Sequence, residues 1–157
     1  MRITMMAALL IATAATALPL AAIAHADDNY QQFASPSGNI RCILDGQDSP
    51  APTAHCQIGD YTYVAPPGSE RDSVSGGPCP DGSATPNDLL LEPGKPGFFT
   101  CRYTALGSGA GPWPTLDFGQ TRSVGSITCD SESSGVTCTD SSTGHFFRLS
   151  RDSYQLG

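Results

Sequence analysis

Lysine is almost missing from this chain: Lys95 stands alone among 157 residues, and 8 basic side chains face 15 acidic ones for a net charge of −7. A nucleic-acid binder must neutralise phosphates with a basic surface, so this shortage argues against that class. An anionic membrane surface is disfavoured for the same reason. Large apolar side chains are scarce as well. Leu, Ile, Val and Phe supply 22 of the 131 residues from Asp27 onward. At ~25 cal/mol per Å² of buried apolar surface, so thin a core struggles to offset the chain entropy lost on folding. Helical periodicity is lacking too. With 17 glycines and 13 prolines, every stretch is interrupted before an i, i+3, i+4, i+7 pattern develops.

Cysteine is what the chain does have. Six residues fall into three close couples, Cys42/Cys56, Cys79/Cys101 and Cys129/Cys138. Disulfides persist in oxidising compartments, and each contributes on the order of 2–4 kcal/mol, which makes up for a small core. Six cysteines allow fifteen pairings, and spacing alone does not choose among them. Sequential pairing is favoured because nearest-neighbour closure costs the least loop entropy. If all six are consumed in this way, no thiolate is left for catalysis or for a metal.

The first 26 residues read as a secretory signal peptide. Arg2 supplies the positive start, Met5 to Ile23 are almost all small or apolar, and Ala24-His25-Ala26 precedes the charged Asp27-Asp28. Cleavage is expected between Ala26 and Asp27, leaving one domain over residues 27–157. Pro19 and the weak hydrophobicity of an Ala-rich run argue against an uncleaved anchor, and no later run is long enough to span a bilayer. The expected destination is the cell exterior or envelope.

Short segments of β character sit between turn signals: Asn39-Leu44, Tyr61-Val64, Leu89-Leu91, Phe98-Tyr103, Ser126-Asp130, Gly135-Thr139 and Phe146-Ser150. They predict an all-β, disulfide-stapled antiparallel domain built from short hairpins, whether sandwich, barrel or irregular sheet. Only Asn29-Phe33 and the C-terminus leave room for a short helix. Cys129 and Cys138 flank a turn at Ser131-Gly135, as expected of a hairpin with a disulfide across its ladder. Gly38-Asn-Ile-Arg-Cys42 parallels Gly125-Ser-Ile-Thr-Cys129, as a duplicated hairpin would. Ala65-Pro80 and Gly107-Pro114 read as surface loops.

Three motifs carry a likeness: Phe33-Ala-Ser-Pro-Ser-Gly-Asn-Ile-Arg-Cys42, Leu116-Asp-Phe-Gly-Gln120 and the ending from Val136-Thr-Cys138 to Gly144-His-Phe-Phe147-Arg-Leu-Ser150. Together they resemble a family of small exported six-cysteine proteins of actinobacteria, mycobacteria especially, filed as a domain of unknown function. The family's Gly-His-Gly-Phe ending departs here, with Phe146 in place of the second glycine. The resemblance implies export and a disulfide-linked β fold. It brings no activity and no catalytic residues.

Candidate chemistry is thin. His55 and His145 are the only histidines after the leader, too few for zinc once the cysteines are paired. His145, Asp140 and a serine spell a hydrolase trio on paper, but no Gly-x-Ser-x-Gly elbow presents a nucleophile. No catalytic residue, cofactor or metal is therefore assigned. The functional expectation is a non-catalytic binding module for a protein or glycan ligand. The alternative is a secreted hydrolase or a protease-inhibitor-like protein that presents a disulfide-fixed loop. The contact candidates are Trp113, His145 and Phe147. Held between Pro112 and Pro114, the Trp113 ring is expected either to fold back over the core or to stand out as an aromatic anchor.

Overall fold

The computed structural model describes residues 29–47, 51–80, 82–103, 105–107 and 112–157. The leader and its Ala26/Asp27 cleavage site lie outside the described residues. Among the described residues, ten strands build two antiparallel meanders. The first sheet is β1 (Tyr30–Ala34), β2 (Ile40–Asp45), β3 (Thr53–Ile58), β4 (Asp88–Leu91) and β5 (Phe98–Phe99), side by side in chain order. The second is β6 (Thr121–Val124), β7 (Ile127–Glu132), β8 (Gly135–Asp140), β9 (Phe146–Leu149) and β10 (Tyr154–Leu156), again in chain order. β1 and β2 face β6, β3 faces β7, and β4 faces β8 and β9, so the sheets stack as a sandwich.

Period-two alternation sets the inner faces. Ile40, Cys42 and Leu44 point inward on β2 while Arg41 points out; Ile127, Cys129 and Ser131 do the same on β7. Both buried disulfides link directly opposed residues of a second and a third strand: Cys42 to Cys56, and Cys129 to Cys138. The Cα atoms are 4.1 and 4.0 Å apart, which suits the close, non-hydrogen-bonded pairs of an antiparallel ladder. Cys79–Cys101 ties the 65–87 loop to the end of β5. All three pairs are the sequential ones.

The hairpin likeness extends through most of each sheet. Opposite the third-strand cysteine stand Leu89 in one sheet and Phe147 in the other; one step along the same face, Leu91 opposes Ala54 and Leu149 opposes Val136. The two meanders thus repeat one register around one cross-strand disulfide. Where they meet, Cys56 Sγ touches Cys138 Sγ at 3.8 Å, placing both bridges at the centre of the core.

Several segments differ from expectation. Asn29-Phe33 is not helical but enters strand β1, held by pairing from Phe33 to Cys42 and Tyr30 to Asp45. Residues 154–156 likewise form a strand. Tyr61-Val64 pairs with no strand; it closes the open side of the sandwich. There Thr62 N donates to Arg151 O at 2.7 Å, and Tyr61 and Tyr63 stack at 4.8 Å. Tyr154 meets Tyr63 edge-on at 5.1 Å and Phe99 at 4.7 Å. Burial pushes the Tyr63 phenol well above its usual range, and its hydroxyl donates to Pro86 O.

Stacking β1 above β6 has a topological consequence. β5 ends at one edge of the first sheet, yet β6 begins beneath the other, so the chain must cross about 19 Å of strand spacings. The described parts of this crossing, residues 105–107 and 112–116, lie on the outer face of the first sheet. Leu106 N donates to the outward Gln57 Oε1 at 3.1 Å, Trp113 meets the outward Arg41, and residues 114–116 bond to both backbone groups of Ala34.

Candidate functional site

The turn between β1 and β2 is built by its own side chains. Gly38 N donates to Ser35 O at 2.8 Å, with Pro36 and Ser37 between them and Gly38 at φ 72°. Proline at the second position and glycine at the fourth suit such a turn. Ser35 Oγ accepts from Ile40 N at 3.1 Å and locks the start of β2. Asn39 clasps the end of β3: its Nδ2 donates to Asp60 O at 2.9 Å, and its Oδ1 accepts from Asp60 N at 2.7 Å. Each polar residue of the Ser-Pro-Ser-Gly-Asn motif therefore has a backbone task.

This turn is also a ridge between two clefts. On one side a cleft of about 870 Å³ opens towards the β7–β8 and β9–β10 turns. Its walls carry Asp60, Glu132, Arg148, Arg151 and several serines, with the 59 % exposed ring of Phe118 at the rim. Arg148 lies 4.0 Å from Glu132 and donates to Ser134 O. Among the described residues, neither the Arg151 guanidinium nor the Asp60 carboxylate is hydrogen-bonded to a side chain, although the Arg151 charge acts on neighbouring Asp152. The Ser150 hydroxyl holds Asp152 at 2.8 Å and keeps that carboxyl below its usual range.

On the other side lies a groove of about 690 Å³, which shares Ser35, Ser37 and Gly38 with the first cleft. Trp113 and Arg41 line it, with the guanidinium 5.9 Å from the ring centroid. Trp113 is half-buried and is not part of the core cluster. Its ring rests against the backbone of Gly107, where a Cβ would collide with the indole. Neither expectation for this residue fits completely: the ring is packed on the sheet's outer surface and still reaches the groove.

The other two contact candidates fare differently. Phe147 is fully buried opposite Cys138 and belongs to the core, because its register directs it inward. It offers no surface to a ligand, which corrects its place among the contact residues. His145 is half-buried in the β8–β9 turn, where its backbone oxygen accepts from Asp140 N at 2.8 Å. The His145–Asp140 couple of a hydrolase does not form. Ser142 N and Oγ, Thr143 Oγ1 and Gly94 N occupy the Asp140 carboxylate and hold its pKa far below the usual value, the Ser142 hydroxyl most of all.

A different couple is present, and the sequence did not reveal it. On the outer face of the first sheet, His55 Nε2 lies 3.0 Å from Asp88 Oδ1, and Gln57 Nε2 donates to both Asp88 oxygens at 3.0 and 3.1 Å. Asp88 is buried beneath the crossing segment. A relay needs a nucleophile hydrogen-bonded to the histidine. Among the described residues no hydroxyl or thiol bonds to His55, and the couple satisfies the buried Asp88 carboxylate. The sulfurs of Cys42, Cys56 and Cys138 lie within 4.8 Å of one another, but all three are in disulfides and offer no thiolate. Set beside known proteins, the chain matches no family model, no curated protein and no solved structure.

Proposed function

We propose that the protein is exported, loses residues 1–26, and acts outside the cell as a non-catalytic binding module. The carrying observation is the Ser35–Asn39 ridge, whose two flanks open into clefts lined by polar groups and, on one side, by Trp113. A site of this kind uses a rigid scaffold to hold turn residues in place for a partner. Three disulfides support an extracellular setting, since such bonds are retained in oxidising compartments. The likeness of Ser35-Pro-Ser-Gly-Asn-Ile-Arg-Cys42 to exported actinobacterial proteins supports the same destination. The net negative charge favours a cationic over an anionic partner.

The test is capture from culture filtrate and envelope fractions with immobilised exported protein, alongside Trp113→Ala and Arg151→Ala. A ligand retained by the native protein and lost with either substitution is expected. Retention unchanged by both would remove the ridge and its clefts as the contact surface.

A further inference from the structure

We propose that the ridge and its two clefts bind a neutral oligosaccharide; this rests on the binding-module reading above. Of the charged side chains lining the larger cleft, Arg148 and Arg151 stand among Asp60, Glu132 and Asp152. A guanidinium only donates hydrogen bonds and an ionised carboxylate only accepts them, whereas a sugar hydroxyl does both. Alternating donors and acceptors therefore suit a chain of hydroxyls. A phosphate or carboxylate ligand would meet three carboxylates, and a cation would meet two guanidiniums.

The groups are also open to a ligand. Asn39 holds Asp60 by its backbone atoms, through Asp60 N at 2.7 Å and Asp60 O at 2.9 Å, and so leaves the carboxylate to face solvent. Arg151 is fixed in the same way, its backbone oxygen accepting from Thr62 N at 2.7 Å while its guanidinium projects. Donor and acceptor are thus pre-positioned without being spent on each other. Pockets for drug-like or lipid ligands carry only a few polar groups, whereas serines and five charged side chains line this cleft.

Two aromatic rings complete the surface. Phe118 stands 59 % exposed beside the larger cleft, and Trp113 lines the smaller one. The C–H face of a pyranose is apolar and stacks on such rings while its hydroxyls point sideways to polar groups. Because the clefts share Ser35, Ser37 and Gly38, a linear oligosaccharide lies along the larger one and continues over the ridge towards Trp113. A Cβ built at Gly38 would meet no atom within 4 Å, so no neighbouring group covers that point of the ridge.

The probes are short neutral hexose and pentose oligosaccharides, with their phosphorylated and uronate counterparts, titrated into the exported protein. Tryptophan emission and amide shifts report binding. Saturable binding of at least one neutral oligomer is expected, with shifts at Ser35–Asn39 and at Arg151. Trp113→Ala and Arg151→Ala should each weaken it about tenfold or more, and Trp113→Phe should restore part of the loss. Preference for the charged probes, or neutral binding that both Ala variants leave intact, would overturn the proposal. If no oligosaccharide binds while capture still returns a protein dependent on Trp113, the glycan falls and the binding module stands. If neither binds, both fall.

Discussion

Asp140 offers the sharpest test of the core geometry. It lies on the inner face at the end of β8, paired with Ile127 and fully buried, at a register position that the first sheet fills with Ile58. Its carboxylate accepts from Ser142 N at 3.0 Å, Ser142 Oγ at 2.7 Å and Thr143 Oγ1 at 2.9 Å. A fourth bond, from Gly94 N at 3.2 Å, comes from the β4–β5 turn of the opposite sheet. Asp140→Asn keeps the shape and one acceptor but removes the charge. Hydrogen bonds to a charged group are worth about 1.5–3 kcal/mol each, but exposed Ser142, Thr143 and Gly94 can turn to water instead. We therefore expect the variant to lose about 2–3 kcal/mol in all near neutral pH.

The pH dependence gives an independent check. These bonds hold the Asp140 pKa below its unfolded value of roughly 3.9, so its stabilisation is complete above that value. As pH falls through about 3.9 towards the lower folded pKa, the unfolded chain takes up the proton first and the stabilisation is lost. One proton changes stability by at most about 1.4 kcal/mol per pH unit. Urea unfolding of the two proteins from about pH 6 to about pH 2 should then show their difference shrinking by on the order of 2 kcal/mol. Other carboxylates titrate in both proteins and largely cancel in that difference. A difference that stays constant over the whole range would falsify the hydrogen-bonded, buried carboxylate described above.

Three further outcomes follow from the packing. Replacing Cys129 and Cys138 with Ala should cost about 2.6 kcal/mol from loop closure over their separation of 9 residues, plus the lost packing of two buried sulfurs. Combining it with loss of Cys42–Cys56 should be non-additive because Cys56 and Cys138 touch, and urea unfolding of single and double bridge deletions reads the coupling directly. Gly97→Ala should destabilise by about 1–3 kcal/mol, since a Cβ there would sit 2.8 Å from Phe146 O and from Phe147 Cβ across the sandwich; an unchanged thermal midpoint would refute the tight contact. Gly107→Ala should displace the indole and raise iodide quenching of the single tryptophan, while Trp113 lies outside the core and global stability changes by only about 1 kcal/mol.

Much of the architecture was legible locally. Cysteine spacing made sequential bridges the least costly in loop entropy, and the Ile-x-Cys repeats at 40–42 and 127–129 marked strands of equivalent register. The missed strands β3 and β6 carry few large apolar side chains of their own. β3 alternates Ala54, Cys56 and Ile58, and β6 is Thr-Arg-Ser-Val; neighbours on the ladder, not intrinsic preference, hold both in place. The reverse error is Tyr61-Val64, whose β-rich composition serves aromatic stacking at the sandwich edge, with no ladder partner.

The candidate site was hardly legible, and the reason is geometric. A strand's period of two says which residues share a face but not which face turns inward; pairing with Cys138 decided that Phe147 is core. His55 and Asp88 are 33 residues apart and became neighbours only because β3 and β4 pair with Gln57 opposite Asp88. The clefts arise where turns from both sheets converge, uniting Asp60, Glu132 and Arg151 around a motif that local chemistry could read only as a turn. By itself the sequence determined the acidic balance and favoured the sequential bridges and the Cys129–Cys138 hairpin, because each depends on composition or on near neighbours. Stacking two equivalent meanders decided the rest: it fixed the long crossing that carries Trp113 onto Arg41, and it set the two clefts on either side of one turn.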